Sequence, residues 1–348
     1  MSPLTLSILL SSLALGTTIT MSSHHWMLAW MGLEINTLAI IPLMTKCPHP
    51  RAVEASTKYF LIQAAASAMI LFSSINNAWN TGEWNIMDLS TPTAVTTMTI
   101  ALLMKLGVAP LHFWLPEVLQ GSDLTTGLIL STWQKLAPMS IIFQISPNLN
   151  PSILMTFGLL SSLIGGWGGL NQTQLRKIMA FSSIAHLGWM ITILTLAPQL
   201  TLLNLFVYIM MTSTMFLMMK TLSTTKISTL SASWAKKPTL SALTVLTLLS
   251  LGGLPPLAGF MPKWLILQEL TKQNMSLLAT LIAMSALLSL FFYLRLSYTM
   301  TLTISPNTSP SMLSWRLHTG APTLMLALGT SVSLLLLPLT PLVLALTQ

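Results

Sequence analysis

Four groups able to carry a proton stand near the middle of membrane-length apolar runs: Glu34 in 25–44, Lys105 in 92–119, Lys135 in 123–146 and His186 in 174–196. A fifth, Lys263, follows a Gly/Pro-rich interruption in 239–270. A side chain at mid-depth of a bilayer lies roughly 15 Å from either interface. That is farther than a lysine stem reaches, so these groups must face protein or internal water. Each buried charge costs about 2.5 to 3.5 kcal/mol on insertion scales, which argues for pairing or for function. Glu34 and Lys105, an acid and a base at like depth, are the natural pair, each favouring the charged form of the other. Lys135 has no acid close by in sequence, and such an ammonium can take up and release a proton as its neighbours change charge. His186 titrates near neutrality by default and suits the same relay. His112 and Glu117 are further titratable groups just beyond the first interruption. Plainer roles stay open: Lys135 could anchor a helix through a carbonyl, His186 could be a hydrogen-bonded core histidine, and Glu117 could be interfacial.

Two interruptions must position these groups. In 103–119, LMKLGVAPLHFWLPEVL, the missing amide of Pro110 and the flexibility of Gly107 open the helical ladder midway. The stretch 251–267, LGGLPPLAGFMPKWLIL, repeats the pattern: Leu106-Gly107 matches Leu251-Gly252, Pro110 matches Pro255, and Pro116 matches Pro262 after one inserted residue. Gly107, Pro110, Gly252 and Pro255 are therefore expected hinges of discontinuous helices. Interrupted segments in corresponding places of two halves point to a transport path built on internal repeats.

Composition sets the class. Of 348 residues, 53% are hydrophobic and 6% charged, and the mean hydropathy is +0.75. A soluble globule carries about 25% charged residues, so this is an integral membrane protein. The net charge of +8 does not point to nucleic acid, because the 15 lysines and arginines form no clustered, aromatic-interleaved face. The lone cysteine, Cys47, offers neither a disulfide nor a metal cluster. Apolar runs of about 20 residues mark spans, and about eleven are predicted: 3–21, 25–44, 52–76, 92–119, 123–146, 151–170, 174–196, 200–221, 239–270, 276–303 and 321–346. Sorting flanks by side puts Lys46, Arg51, Lys58, Arg176, Lys177, Lys220, Lys226, Lys236, Lys237 and Arg316 with the N-terminus. Lys272 stands almost alone opposite, with Glu83, Asp88 and Glu269. Such an asymmetry places the N-terminus inside and the C-terminus outside.

Glu34, the run KLGVAPLHFWLPEV, Lys135 in STWQKLAP, the run SSIAHLGW and the second break GGLPPLAGFMPKW together resemble the antiporter-like subunits of mitochondrial NADH:ubiquinone oxidoreductase (respiratory complex I). The wider family includes subunits of cation/proton antiporters. The resemblance implies an all-α polytopic fold of two inverted five-helix repeats, about 3–146 and 151–303, each with a discontinuous helix, plus a C-terminal helix at about 321–346. It implies Glu34 and Lys105 as a half-channel ion pair, Lys135 as the central relay lysine and Lys263 as the output lysine, with His186 where a lysine is expected. It implies that NADH, FMN, iron-sulfur clusters and ubiquinone belong to other subunits. The implied partners are other membrane-arm subunits, further antiporter-like ones included, and inner-membrane lipids such as cardiolipin. The implied place is the mitochondrial inner membrane, with the N-terminus in the matrix and the C-terminus in the intermembrane space. A cation/proton antiporter subunit without redox coupling is the alternative. Sodium selectivity would favour a mid-depth carboxylate or carbonyl cage, and only Glu34 is available for one.

Overall fold

The computed structural model describes residues 2–46, 48–235, 237–302, 324–341 and 345. Cys47, Lys236, Arg316 and both ends of the expected segment 321–346 lie outside them. The described residues form helices and no strand, with isolated bridges only at His25 with Asn85 and Gln174 with Lys226. In chain order the helices are α1 (Pro3–Ser22), α2 (Trp26–Met44), α3 (Pro50–Thr81), α4 (Pro92–Leu106), α5 (Trp114–Gly121), α6 (Leu124–Ser131), α7 (Trp133–Ile145), α8 (Pro151–Gly169), α9 (Leu175–Ile193), α10 (Pro198–Thr221), α11 (Ile227–Ser231), α12 (Pro238–Gly252), α13 (Phe260–Lys272), α14 (Ser276–Leu302) and α15 (Leu324–Leu335). Proline opens α1, α3, α4, α8, α10 and α12. Its absent amide is one of the donors a first turn leaves unpaired anyway.

Six of these helices, α1, α2, α3, α8, α10 and α14, are each long and apolar enough to cross a membrane alone. Among the described residues, the remaining expected spans are shorter, broken or more polar. The run 123–146 is not one helix: α6 stops at Ser131, and Thr132, with φ −114° and ψ −68°, separates it from α7.

Small residues bring two helix pairs into close contact. A Cβ added to Gly188 of α9 would lie 2.7 Å from the Gly158 carbonyl oxygen of α8, and one on Gly165 would lie 2.6 Å from the Ala185 amide nitrogen. Gly16 and Gly32 bring α1 and α2 together in the same way. Where lipid is as apolar as any leucine, such backbone proximity is what holds helices together. Helix α9 is buried nearly all round, from Leu175 to Ile193, as expected for a helix enclosed by others. A single apolar cluster runs from Leu13 through Leu119, Phe216 and Leu251 to Leu336, so both ends of the chain share one core.

Candidate proton-transfer site

The first break is closed by Gly107, whose φ of +77° is open mainly to glycine. Its amide donates to the carbonyls of Leu103 and Met104, and α5 begins only at Trp114, whose indole Nε1 donates back to Met104 O at 3.2 Å. The Ala109-Pro110 peptide between the two helices is cis. Lys105 lies in the last turn of α4, and Gln63 of α3 donates to its carbonyl at 3.4 Å.

The second break corrects the expected register by one residue. Gly252 is the last helical residue of α12, and the left-handed closing residue is Gly253, at φ +82°, donating to Leu249 and Ser250 as Gly107 does to its partners. Gly107 and Gly253, Trp114 and Phe260, and Pro116 and Pro262 are all 146 apart, so no inserted residue is needed. Pro256, not Pro255, stands at the place of Pro110. Lys263 stands at the place of Glu117, not of Lys105. Two adjacent glycines look alike in sequence, and only the backbone shows which one turns. The Lys263 ammonium donates to the Gly252 carbonyl at 2.9 Å, a carbonyl that the end of α12 leaves free of an amide partner.

Between the breaks lies Lys135, fully enclosed. Its ammonium donates to the Tyr208 hydroxyl of α10 at 2.9 Å and stands 4.7 Å from that ring's centroid. The Tyr208 hydroxyl donates in turn to the Ser131 carbonyl at 2.9 Å. Lys135 therefore reaches a phenol, not the carbonyl that a simple anchor would use. The His186 ring of α9 also packs against this phenol, with centroids 5.6 Å apart. A cavity of about 20 Å³ joins Lys105 to Lys135, with Asn36, Thr37, Gln63 and Gln134 in its wall. The Lys105 ammonium and both amide atoms of Asn36 are buried without a protein hydrogen-bond partner, and this space is enough for about one water.

Glu34 and Lys105 are not in contact: the Glu34 carboxylate accepts from Thr37 Oγ1 at 2.8 Å, and no ion pair joins it to Lys105. Glu117 lies at the surface, 52% exposed, paired at 2.7 Å with Lys58, which also holds Glu54 at 2.6 Å. This ties α5 to the start of α3. His112 is buried in the first break with Nδ1 3.3 Å from the Pro110 carbonyl. Sequence reasoning missed Tyr208 and Asn36, since a neutral polar group in an apolar run raises little cost and so little signal. The Arg295 guanidinium of α14 donates to the carbonyls of Leu170 and Gln172, closing the end of α8.

A family model described as NADH:quinone oxidoreductase/Mrp antiporter, transmembrane, matches residues 23–289, and one for the NADH dehydrogenase subunit 2 C-terminus matches 290–344. The chain belongs to this antiporter-like family. A relative from Xenopus laevis named NADH-ubiquinone oxidoreductase chain 2 is 67% identical over 344 residues, covering 99% of this chain and all of the relative. A chain of respiratory complex I from Thermus thermophilus, solved with bound aureothin, is 28% identical with a TM-score of 0.78, covering 95% of this chain and 78% of that one. A chain of the Mrp complex from Dietzia sp. shares the fold alone, at 17% identity and a TM-score of 0.84, covering 97% of this chain and 76% of that one. As a member of this family, the chain is a polytopic helical membrane protein of a multi-subunit assembly.

Proposed function

We propose that this chain is a proton-translocating membrane-arm subunit of NADH:ubiquinone oxidoreductase. It couples quinone reduction elsewhere in the complex to proton transfer from matrix to intermembrane space. The observation that carries the path is the buried series Lys105, Lys135 and His186, with Lys105 at the first backbone break, Lys263 at the second, and a water-sized cavity joining Lys105 to Lys135. Protons would reach Lys105 in the first half, under the influence of Glu34, and cross the cavity to Lys135. From there they would pass by His186 to Lys263, whose ammonium already rests on an open helix end. Two ammonium groups on one small cavity repel each other, so a proton arriving at Lys105 pushes the one on Lys135 onward. His112 and Glu117 stand on the flank of the first break as lesser members.

The same reading takes the chain as about eleven crossings in two inverted repeats, 3–146 and 151–303, with a C-terminal helix. Its N-terminus lies in the mitochondrial matrix and its C-terminus in the intermembrane space, where the basic flanks of the sequence put them. NADH, FMN, iron-sulfur clusters and ubiquinone are held by other subunits. Further antiporter-like subunits and anionic inner-membrane lipids such as cardiolipin are its neighbours.

Lys135→Met in the reconstituted complex tests the path. The change removes a charged hydrogen bond worth about 1.5 to 3 kcal/mol and a desolvated cation–π contact of about 2 kcal/mol. It also relieves about 2.5 to 3.5 kcal/mol of charge burial, and Tyr208 keeps its bond to Ser131. Stability should move by no more than about 2.5 kcal/mol, the largest difference between these terms. Assembly should persist while proton pumping per electron falls. A normal proton-to-electron ratio would make Lys135 a structural lysine and end this reading of the path.

A further inference from the structure

We infer that Tyr208 is a positioning residue for the central step of proton transfer: its hydroxyl holds the Lys135 ammonium at the seam between the two halves of the path. The inference rests on the proton-transfer reading above and names a residue that reading does not require. It starts from the helix irregularity at Thr132. There the Lys135 amide donates to Thr132 O at 3.3 Å, a three-residue step. The Ser131 carbonyl, four residues back, thereby loses the amide a regular helix would give it. The Tyr208 hydroxyl takes its place at 2.9 Å. One phenol thus satisfies a carbonyl freed by the irregularity and, with its lone pair, the ammonium three residues beyond Thr132.

This arrangement responds to charge. A phenol has one O–H and can accept as well. With its hydrogen directed at Ser131, it offers Lys135 only an acceptor and so suits the ammonium. Once Lys135 has passed its proton on, the amine carries a lone pair, and the hydroxyl can turn from Ser131 to donate to it. No O–H bond breaks in this turn, and no proton crosses the phenol. The Tyr208 ring is meanwhile held against the imidazole of His186, 5.6 Å away at 45°. The phenol thus meets the Lys135 ammonium on one hand and the His186 imidazole on the other, while Lys135 also lines the cavity it shares with Lys105.

The test is Tyr208→Phe in the assembled, reconstituted complex, which keeps the ring and removes the hydroxyl. The expected result is normal assembly with proton transfer per complex slowed about ten- to a hundredfold, the range equivalent to one lost hydrogen bond to a charged group. In infrared difference spectra between resting and NADH-reduced complex, a tyrosine C–O band should vanish in Tyr208→Phe and shift in Lys135→Met. Normal pumping in Tyr208→Phe alongside impaired pumping in Lys135→Met overturns the inference and leaves the path intact. Failure of Tyr208→Phe to assemble where Lys135→Met assembles makes the hydroxyl a folding element and also overturns it. So does a tyrosine band that ignores Lys135→Met. Normal pumping in Lys135→Met removes the path itself.

Discussion

Replacing Gly253 with alanine, and Gly252 with alanine as its twin, separates two adjacent glycines that look identical in sequence. At Gly253 the backbone holds φ at +82°, where an L-residue costs about 1 to 2 kcal/mol. The new Cβ would also lie 2.9 Å from Lys263 Nζ, 3.1 Å from its Cδ and 3.3 Å from its Cε. The lysine must then withdraw from the Gly252 carbonyl, forfeiting a charged hydrogen bond of about 1.5 to 3 kcal/mol. The sum is about 2.5 to 5 kcal/mol of local destabilisation. At Gly252 the nearest atom to a new Cβ is Tyr293 Cδ2 at 3.7 Å, an ordinary contact. There alanine should be neutral or better by up to about 1 kcal/mol, as a helical residue. Thermal inactivation of the assembled complex, read beside the proton-to-electron ratio, measures both changes. Gly253→Ala should lower both; Gly252→Ala should leave both near wild type. Equal damage from the two, or greater damage at Gly252, would refute the placement of the hinge and the rest position of Lys263.

Two further outcomes follow from contacts seen and not seen. In a double-mutant cycle on thermal stability, Glu34→Gln and Lys105→Met should couple by about 1 kcal/mol or less, because the carboxylate is bonded to Thr37. A coupling of about 3 kcal/mol or more, as for a buried contact pair, would place the two groups in direct contact. Gly188→Leu should strip assembled complex from the membrane on native gels. Its Cβ meets the Gly158 carbonyl and the Ser162 amide nitrogen, each at 2.7 Å, and backbone cannot yield as a side chain does, so the cost is about 3 kcal/mol or more. Normal assembly of that variant would mean that α8 and α9 separate without penalty.

What the sequence by itself determined is what carries a high local cost. A lysine inside an apolar run, a proline without an amide and a glycine beside it each contradict their surroundings. Such contradictions are legible without knowing any neighbour: Lys105, Lys135, Lys263 and the existence of both breaks were found this way. Composition decided the membrane class for the same reason, since 6% charged residues cannot cover a soluble surface. The tertiary structure alone decided the partners. Tyr208 meets Lys135 across 73 residues, Glu117 meets Lys58 and not a relay group, and Arg295 closes a helix end 125 residues away. Depth in the membrane is a one-dimensional quantity that a chain of apolar runs encodes. Which side chain faces which depends on helix rotation and spacing, set by close contacts such as Gly158 against Gly188, where hydrogen-bond reach leaves a tolerance of a few tenths of an ångström. Glu34 and Lys105, whose sequence positions suggest a like depth, do not touch for that reason, and Gly253, not Gly252, turns the chain because only one backbone position there is left-handed.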